Sequence, residues 1–137
     1  VAATIDPHSA LVYVMVLVSA ADAEMTDAEL RVMGDMVRFL RVFRGFDDER
    51  LPQLAHECSV LLQDPKGLDK ALDAVREALP ARLRETAYAV ACDVAAADGR
   101  VTQEELRLLE MIRHELEVDR LTAAAIERGA RARSAAL

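Results

Sequence analysis

The sequence has no tryptophan, two tyrosines and three phenylalanines, so aromatic residues make up only 4% of it. Its core must therefore be aliphatic, built of Ala, Val, Leu and Met, and Ala and Leu favour helix. Glycine and proline are scarce too, at five and four. That is too few turn-formers for the many hairpins of an all-β fold. Cysteine occurs twice, as Cys58 in His56–Leu62 and Cys92 in Tyr88–Ala97, both apolar stretches. Such a pair in a helical chain reads as buried thiols in a reducing compartment rather than a disulfide framework. Basic stretches are missing as well: 17 basic residues stand against 24 acidic ones, a net charge of −7. Nucleic-acid binding needs a basic face that displaces phosphate counterions, so that class is excluded. The longest apolar run, Leu11–Ala21, falls short of the ~20 residues that cross a bilayer, so direct membrane insertion is not expected. It also lacks the basic leader and loop signals of a secretory peptide. The chain opens at Val1, which leaves open whether it is a piece of a longer protein.

What is present is 137 residues, 53% of them hydrophobic. That length fits one domain, 1–137, with a core over about 6–128. It buries roughly two-thirds of the unfolded surface, enough for a core without metal or disulfide. Asp6-Pro7 opens a first helix, with Asp as N-cap and Pro where a missing N–H costs nothing. From Leu11 to Ala21 this helix is apolar nearly all round, as a central buried helix is; its end is expected near Asp22–Met25. Thr26-Asp27-Ala28-Glu29 has the form of a capping box. It starts a second helix with Leu30, Met33, Val37 and Leu40 on one face, ending near Arg44-Gly45. Asp47-Asp48-Glu49 begins a third helix, with Leu51, Leu54, Cys58 and Leu61 or Leu62 inward. Asp64-Pro65 begins a fourth, with Leu68, Leu72, Val75 and Leu79, stopped by Pro80. A fifth runs from Ala81 to Ala97 with Leu83, Ala87, Val90, Ala91 and Val94 inward. A second capping box, Thr102-Gln103-Glu104-Glu105, starts a sixth with Leu106, Leu109, Ile112 and Leu116. A seventh follows Asp119, and its Ala/Arg-rich end, Gly129–Leu137, is expected to fray.

The chain repeats itself. Val18–Leu40 lies over Val94–Leu116, matching Asp22 with Asp98, Thr26 with Thr102, Glu29 with Glu105, Leu30 with Leu106 and Arg31 with Arg107. Repeats set architecture. The expected fold is all-α: about seven helices in a compact bundle. Helices 1–3 and 5–7 form two pseudo-symmetric halves joined by helix 4, with the two central helices side by side.

The repeated turn raises a chemical question. Asp98-Gly99-Arg100-Val101-Thr102-Gln103-Glu104-Glu105 has the form of the second half of an EF-hand loop, with Gly at the sharp turn and Glu at the bidentate position. The first half fails, because Val94 and Ala96 stand where ligands are needed. In the other copy Val18 and Ala20 stand there, and Ala23 replaces the Gly. One reading of the turns is therefore structural: Asp22 and Asp98 hold turn N–H groups, and the Thr/Glu pairs cap helices. The other is that the turns meet and pool carboxylates: Asp22, Glu24 and Glu29 from one, Asp93, Asp98 and Glu105 from the other. Hard cations take several oxygens at once. Asp93, set inside an apolar run, needs a cation, a water-filled cleft, solvent or an Arg partner.

Other chemistries lack parts. His56-Glu57-Cys58-Ser59-Val60 has Val where a zincin's second His must stand. Glu110 and His114 are one residue too far apart for a di-iron Glu-x-x-His pair. Cys58 has no oxyanion turn to serve it as a nucleophile, there is no Gly-rich phosphate loop, and the methionines read as core filler. No catalytic constellation and no organic cofactor are expected.

At Val18-Ser19-Ala20-Ala21-Asp22 with Thr26-Asp27-Ala28-Glu29-Leu30, and at Asp93–Leu106, the chain resembles the TerB-like family of bacterial tellurite-resistance proteins. The likeness spans roughly Ala10 to Leu121. It implies an all-helical, non-enzymatic, cytoplasmic protein of tellurite resistance or a broader metal and chemical stress response. It also implies association with the inner face of the membrane through a protein partner. By position it implies a divalent-cation site (Ca²⁺, Mg²⁺, Mn²⁺ or Zn²⁺) at Asp22, Glu29, Asp93, Asp98 and Glu105. The sequence departs from its own repeat at Ala23, opposite Gly99, and at Leu17, opposite Asp93, which favours the Asp98 turn if only one copy binds. The alternative is a protein-interaction adaptor, its acidic turns serving as helix caps and as a docking surface for a basic partner.

Overall fold

Every side chain from residue 9 to residue 19 is buried, so the first helix is the axis around which the rest of the chain packs. The computed structural model describes residues 4–21 and 25–137. Their helices are α1 (Pro7–Ser19), α2 (Asp27–Phe39), α3 (Leu51–Leu62), α4 (Gly67–Ala78), α5 (Arg84–Ala95), α6 (Gln103–Glu115) and α7 (Arg120–Ser134). Single 3-10 turns stand at Arg41–Phe43, Asp48–Arg50 and Ala81–Leu83, and there is no strand among the described residues. None of these helices is long and apolar enough to cross a membrane.

The helix starts follow the expected chemistry. Asp6 accepts the Ser9 N–H at 2.7 Å ahead of Pro7. Thr26 and Glu29, and Thr102 and Glu105, form complete capping boxes. Asp119 caps α7 by accepting the Thr122 N–H and hydroxyl, each at 2.9 Å.

Several boundaries and faces differ from the sequence reading. α2 stops at Phe39, not near Gly45, because Leu40 turns extended and Phe43 folds back into the core. There Phe43 stacks on His8, Phe46 meets the His8 ring edge, and His8 Nε2 lies 2.8 Å from the Val42 carbonyl oxygen. The inward face of α2 is Met33, Met36 and Val37, while Leu30 is 50% exposed and its repeat mate Leu106 48%. The reason is helical geometry: each capping Glu is turned inward, and a step of about 100° carries the next residue outward. α3 begins at Leu51, after the 3-10 turn, and α4 begins at Gly67, two residues beyond Pro65. A Cβ at Gly67 would lie 1.9 Å from the Leu61 carbonyl oxygen, so the α3–α4 corner closes over a residue with no side chain. α7 does not fray at Gly129: Ala130 is buried and the helix continues to Ser134.

The repeat is visible in the packing. α1 and α5 share the most extensive contact of any helix pair, so the two central helices do lie side by side. α3 on α1 is matched by α7 on α5, and α6 on α1 by α2 on α5. Helix α4 breaks the symmetry by packing on α1, α3 and α6.

Candidate functional site

The two repeated turns connect α1 to α2 and α5 to α6. Asp22, Ala23 and Glu24 lie outside the described residues. In the first copy the Thr26 N–H donates to Glu29 Oε1 at 2.9 Å, and the Glu29 N–H donates to Thr26 Oγ1 at 3.1 Å. The second copy repeats both bonds at the same lengths between Thr102 and Glu105. Glu29 and Glu105 are each only 2% exposed. Gly99 takes φ of +80°, a left-handed conformation that costs glycine little. Asp98 Oδ1 accepts the Arg100 N–H at 3.1 Å, an Asx turn, as expected of this Asp.

A cavity of about 840 Å³ relates the two turns. Its walls include Leu17, Ala20 and Ala21 at the end of α1, Leu62 and Leu68 at the α3–α4 corner, and Gln103, Glu104 and Arg107 at the start of α6. The chain leaving α1 and the chain entering α6 thus border one space. The C-terminal end of α1 and the start of α6 therefore lie at one end of the bundle.

The carboxylates themselves are largely engaged. Asp93 is on the last turn of α5, its side chain 25% exposed, and its Oδ1 accepts from Arg133 Nη2 at 2.7 Å. Of the four candidate site acids that fall among the described residues, Glu29 and Glu105 are used in capping and Asp93 in an ion pair; Asp98 is exposed and holds its own turn. Among the described residues no three His, Cys, Asp or Glu side chains are grouped to hold a metal ion.

Nucleophilic chemistry is no better supplied. Cys58 and Cys92 are free and buried, and burial pushes both thiols up to about 12. Burial also raises Tyr88, whose hydroxyl donates to Glu127 Oε2 at 2.5 Å. These two residues, with Cys92 and Glu110, line a smaller cavity of about 340 Å³ between α5, α6 and α7. Neither the Tyr88–Glu127 bond nor the buried Arg113 was legible in the sequence. Arg113 donates from Nη2 to Glu110 at 2.6 Å and from Nη1 to the Val118 carbonyl at 3.2 Å. Glu127 lies on another helix and Val118 past a helix end, where periodicity has no reach; Glu110, three residues before Arg113 on α6, is an ordinary helical neighbour. For Asp93 there was a signal: an acid inside an apolar run, for which an Arg partner was one of the outcomes open.

Comparison with curated proteins and with solved structures found no match. Comparison with family models matched residues 8–128 to the family described as "Tellurite resistance protein TerB". With most of its length inside that match, and with the helical repeat described above, the chain belongs to the TerB family.

Proposed function

We propose that the protein is a non-enzymatic binding module of tellurite resistance or a related chemical stress response, and that the bundle end where α1 stops and α6 starts is its working surface. The observation that carries this reading is the shared cavity wall: Ala20 and Ala21 on one side, Gln103 and Glu104 on the other. Asp98 and Glu104 stand at the entry to α6, and acids gathered at one end of a bundle form a common field. The family likeness adds a cytoplasmic setting, with the inner face of the membrane reached through a protein partner.

Two ligands suit such an end: a divalent cation (Ca²⁺, Mg²⁺, Mn²⁺ or Zn²⁺), or a basic segment of a partner protein. The second is favoured by Arg133, which already engages Asp93 as a partner's Arg could engage its neighbours. It is favoured also by the capping duty of Glu29 and Glu105, which leaves each a reduced share of lone pairs for a cation.

Thermal melts and calorimetry with each cation test the choice, since a ligand that binds only the folded state raises the melting temperature. The adaptor reading expects no shift at millimolar cation, with capture of a basic partner that weakens as salt rises and ignores chelator. A melting shift that disappears in an Asp98→Ala/Glu105→Ala variant, measured against that variant's own cation-free melt, would establish the cation instead.

A further inference from the structure

The corner that follows α2 carries a charge opposite to the molecule as a whole. Residues 36–46 contain Arg38, Arg41 and Arg44 and no acid, in a chain of net charge −7. Phe39 is 79% exposed, and the adjacent Leu40 is exposed as well. Single apolar side chains in water are ordinary, so exposure alone decides nothing. The internal repeat supplies the control. Phe39, Leu40 and Arg41 correspond to Glu115, Leu116 and Glu117 of the second copy, where Leu116 is buried. The second copy ends its helix at the matching residue with two acids, and there Leu116 keeps a helical backbone and is buried, whereas Leu40 turns extended. In the first copy the charge is inverted, an aromatic ring is added, and the apolar pair is left in solvent.

The backbone beneath this corner is pinned. Phe43 is buried against His8, and His8 Nε2 lies 2.8 Å from the Val42 carbonyl oxygen. Phe46 packs 5.5 Å from Phe43, with the Arg50 guanidinium 5.5 Å above its ring. The outward groups are therefore held on a fixed support, which lowers the ordering cost of binding. Nearby acids neutralise only part of the patch. Asp48 pairs with Arg38 at 3.4 Å, and Asp47 is turned to the Glu49 N–H at 3.0 Å. Arg41 and Arg44 have no such partner among the described residues.

We propose that Phe39, Leu40, Arg41 and Arg44 form a docking site for a short acidic segment of a partner protein that also presents an apolar side chain. Arginine forks match carboxylates, and Phe39 supplies the apolar anchor. A narrow acidic segment reaches the corner alone. A broad anionic lipid surface would also approach Asp47, Asp48 and Glu49, which directly follow the corner in the chain, and screening over a Debye length of ~8–10 Å does not hide charges so close. The proposal is independent of the acidic turns and stands or falls apart from them.

The test uses the intact chain and a fluorescein-labelled peptide rich in Glu around a central Leu-Phe pair, with a Gln-for-Glu counterpart as control. Anisotropy should show saturable binding that weakens with salt, and amide chemical shifts should move at residues 38–46. Phe39→Ala, and separately Arg41→Glu/Arg44→Glu, should each weaken binding about tenfold or more, as loss of a binding anchor does, with unchanged melting temperature. The proposal is overturned if the Glu peptide does not bind saturably, if the Gln peptide binds equally, if the shifts map elsewhere, or if vesicles of phosphatidylglycerol bind where the peptide does not.

Discussion

Asp93 of α5 and Arg133 of α7 meet at 2.7 Å, and the residue matching Asp93 in the other half of the repeat is the buried Leu17 of α1. The asymmetry of the bundle accounts for the exchange. Leu17 shares a cavity wall with Leu62 of α3 and Leu68 of α4, and α4 packs extensively on α1 but not on α5. A position covered on one side of the pseudo-symmetry is half open on the other, and takes a carboxylate held by an arginine. An exposed pair of this kind contributes little, typically ~0.2–1 kcal/mol. Arg133→Ala should therefore lower the unfolding free energy by no more than about 1 kcal/mol. A double-mutant cycle with Asp93→Asn in urea checks this, and a coupling well above that range would mean the pair organises α7 more broadly.

Glycine substitutions should separate two sites of opposite sign. Gly67→Ala drives a methyl group into the Leu61 carbonyl, a backbone atom that cannot swing away. It should destabilise by at least about 2 kcal/mol. Gly34, inside α2, has nothing within 4 Å of an added Cβ. Gly34→Ala should stabilise by about 0.5–1 kcal/mol through helix propensity and the unfolded chain. Denaturant midpoints of the two variants give the comparison directly.

The capping boxes should be separable from any binding role. Thr26→Ala and Thr102→Ala each remove the acceptor for a helix N–H and should cost about 1 kcal/mol. The two costs should be close to each other, because the bond lengths in the two copies agree. A much larger loss at one copy in thermal melts would show that its turn carries more than a cap.

Thiol chemistry gives a further check. With both thiols pushed up to about 12 by burial, almost no thiolate exists near neutral pH, and the thiolate is the reactive form. Labelling by a disulfide reagent at pH 8 should be slow in the native protein, fast in denaturant, and should track global unfolding. Rapid native labelling of either residue would reopen a nucleophilic or redox role.

Stability should also respond to pH at both ends of the carboxylate range. The Thr122 backbone N–H holds Asp119 below its ordinary 3.8, and the Ser9 N–H does the same for Asp6. Their contributions are present above 3.8 and fade as pH falls through the lowered folded values. Asp119→Ala should therefore make the acid limb of a stability–pH profile shallower. Glu115 shifts the other way, raised above 4.5 by burial and then by the neighbouring Asp73 carboxyl. Its favourable contribution is lost as pH rises through the raised value, so Glu115→Gln should stabilise the protein at neutral pH. A flat response in both variants would contradict these assignments.

The sequence carried most of the architecture because its signals were local. Asp6-Pro7, the two Thr-x-x-Glu boxes and Asp119 are chemical marks of helix starts, and each starts a helix or the turn into one. The all-apolar run in α1 marked the buried centre, and the repeat placed α5 beside it. What failed was also local in origin. Leu30 and Leu106 fit an apolar stripe by spacing, yet the inward turn of Glu29 and Glu105 rotates that stripe away from them, and Leu40 leaves it because the chain turns extended there. The candidate site was less legible, because the fate of a carboxylate depends on residues far along the chain. Arg133 is 40 residues from Asp93, and no spacing rule joins them.

The burial of α1 on every side from Ser9 to Ser19 bears on how the chain comes to be folded. Its covering surfaces come from α3, α4, α5 and α6, so a helix made early must wait for segments made later. At synthesis rates of about 5–20 residues per second, its apolar side chains stay uncovered for several seconds before α5 and α6 emerge. That interval makes α1 the segment most open to chaperone capture or aggregation. Once folded, its amides should be among the slowest in the protein to exchange with solvent.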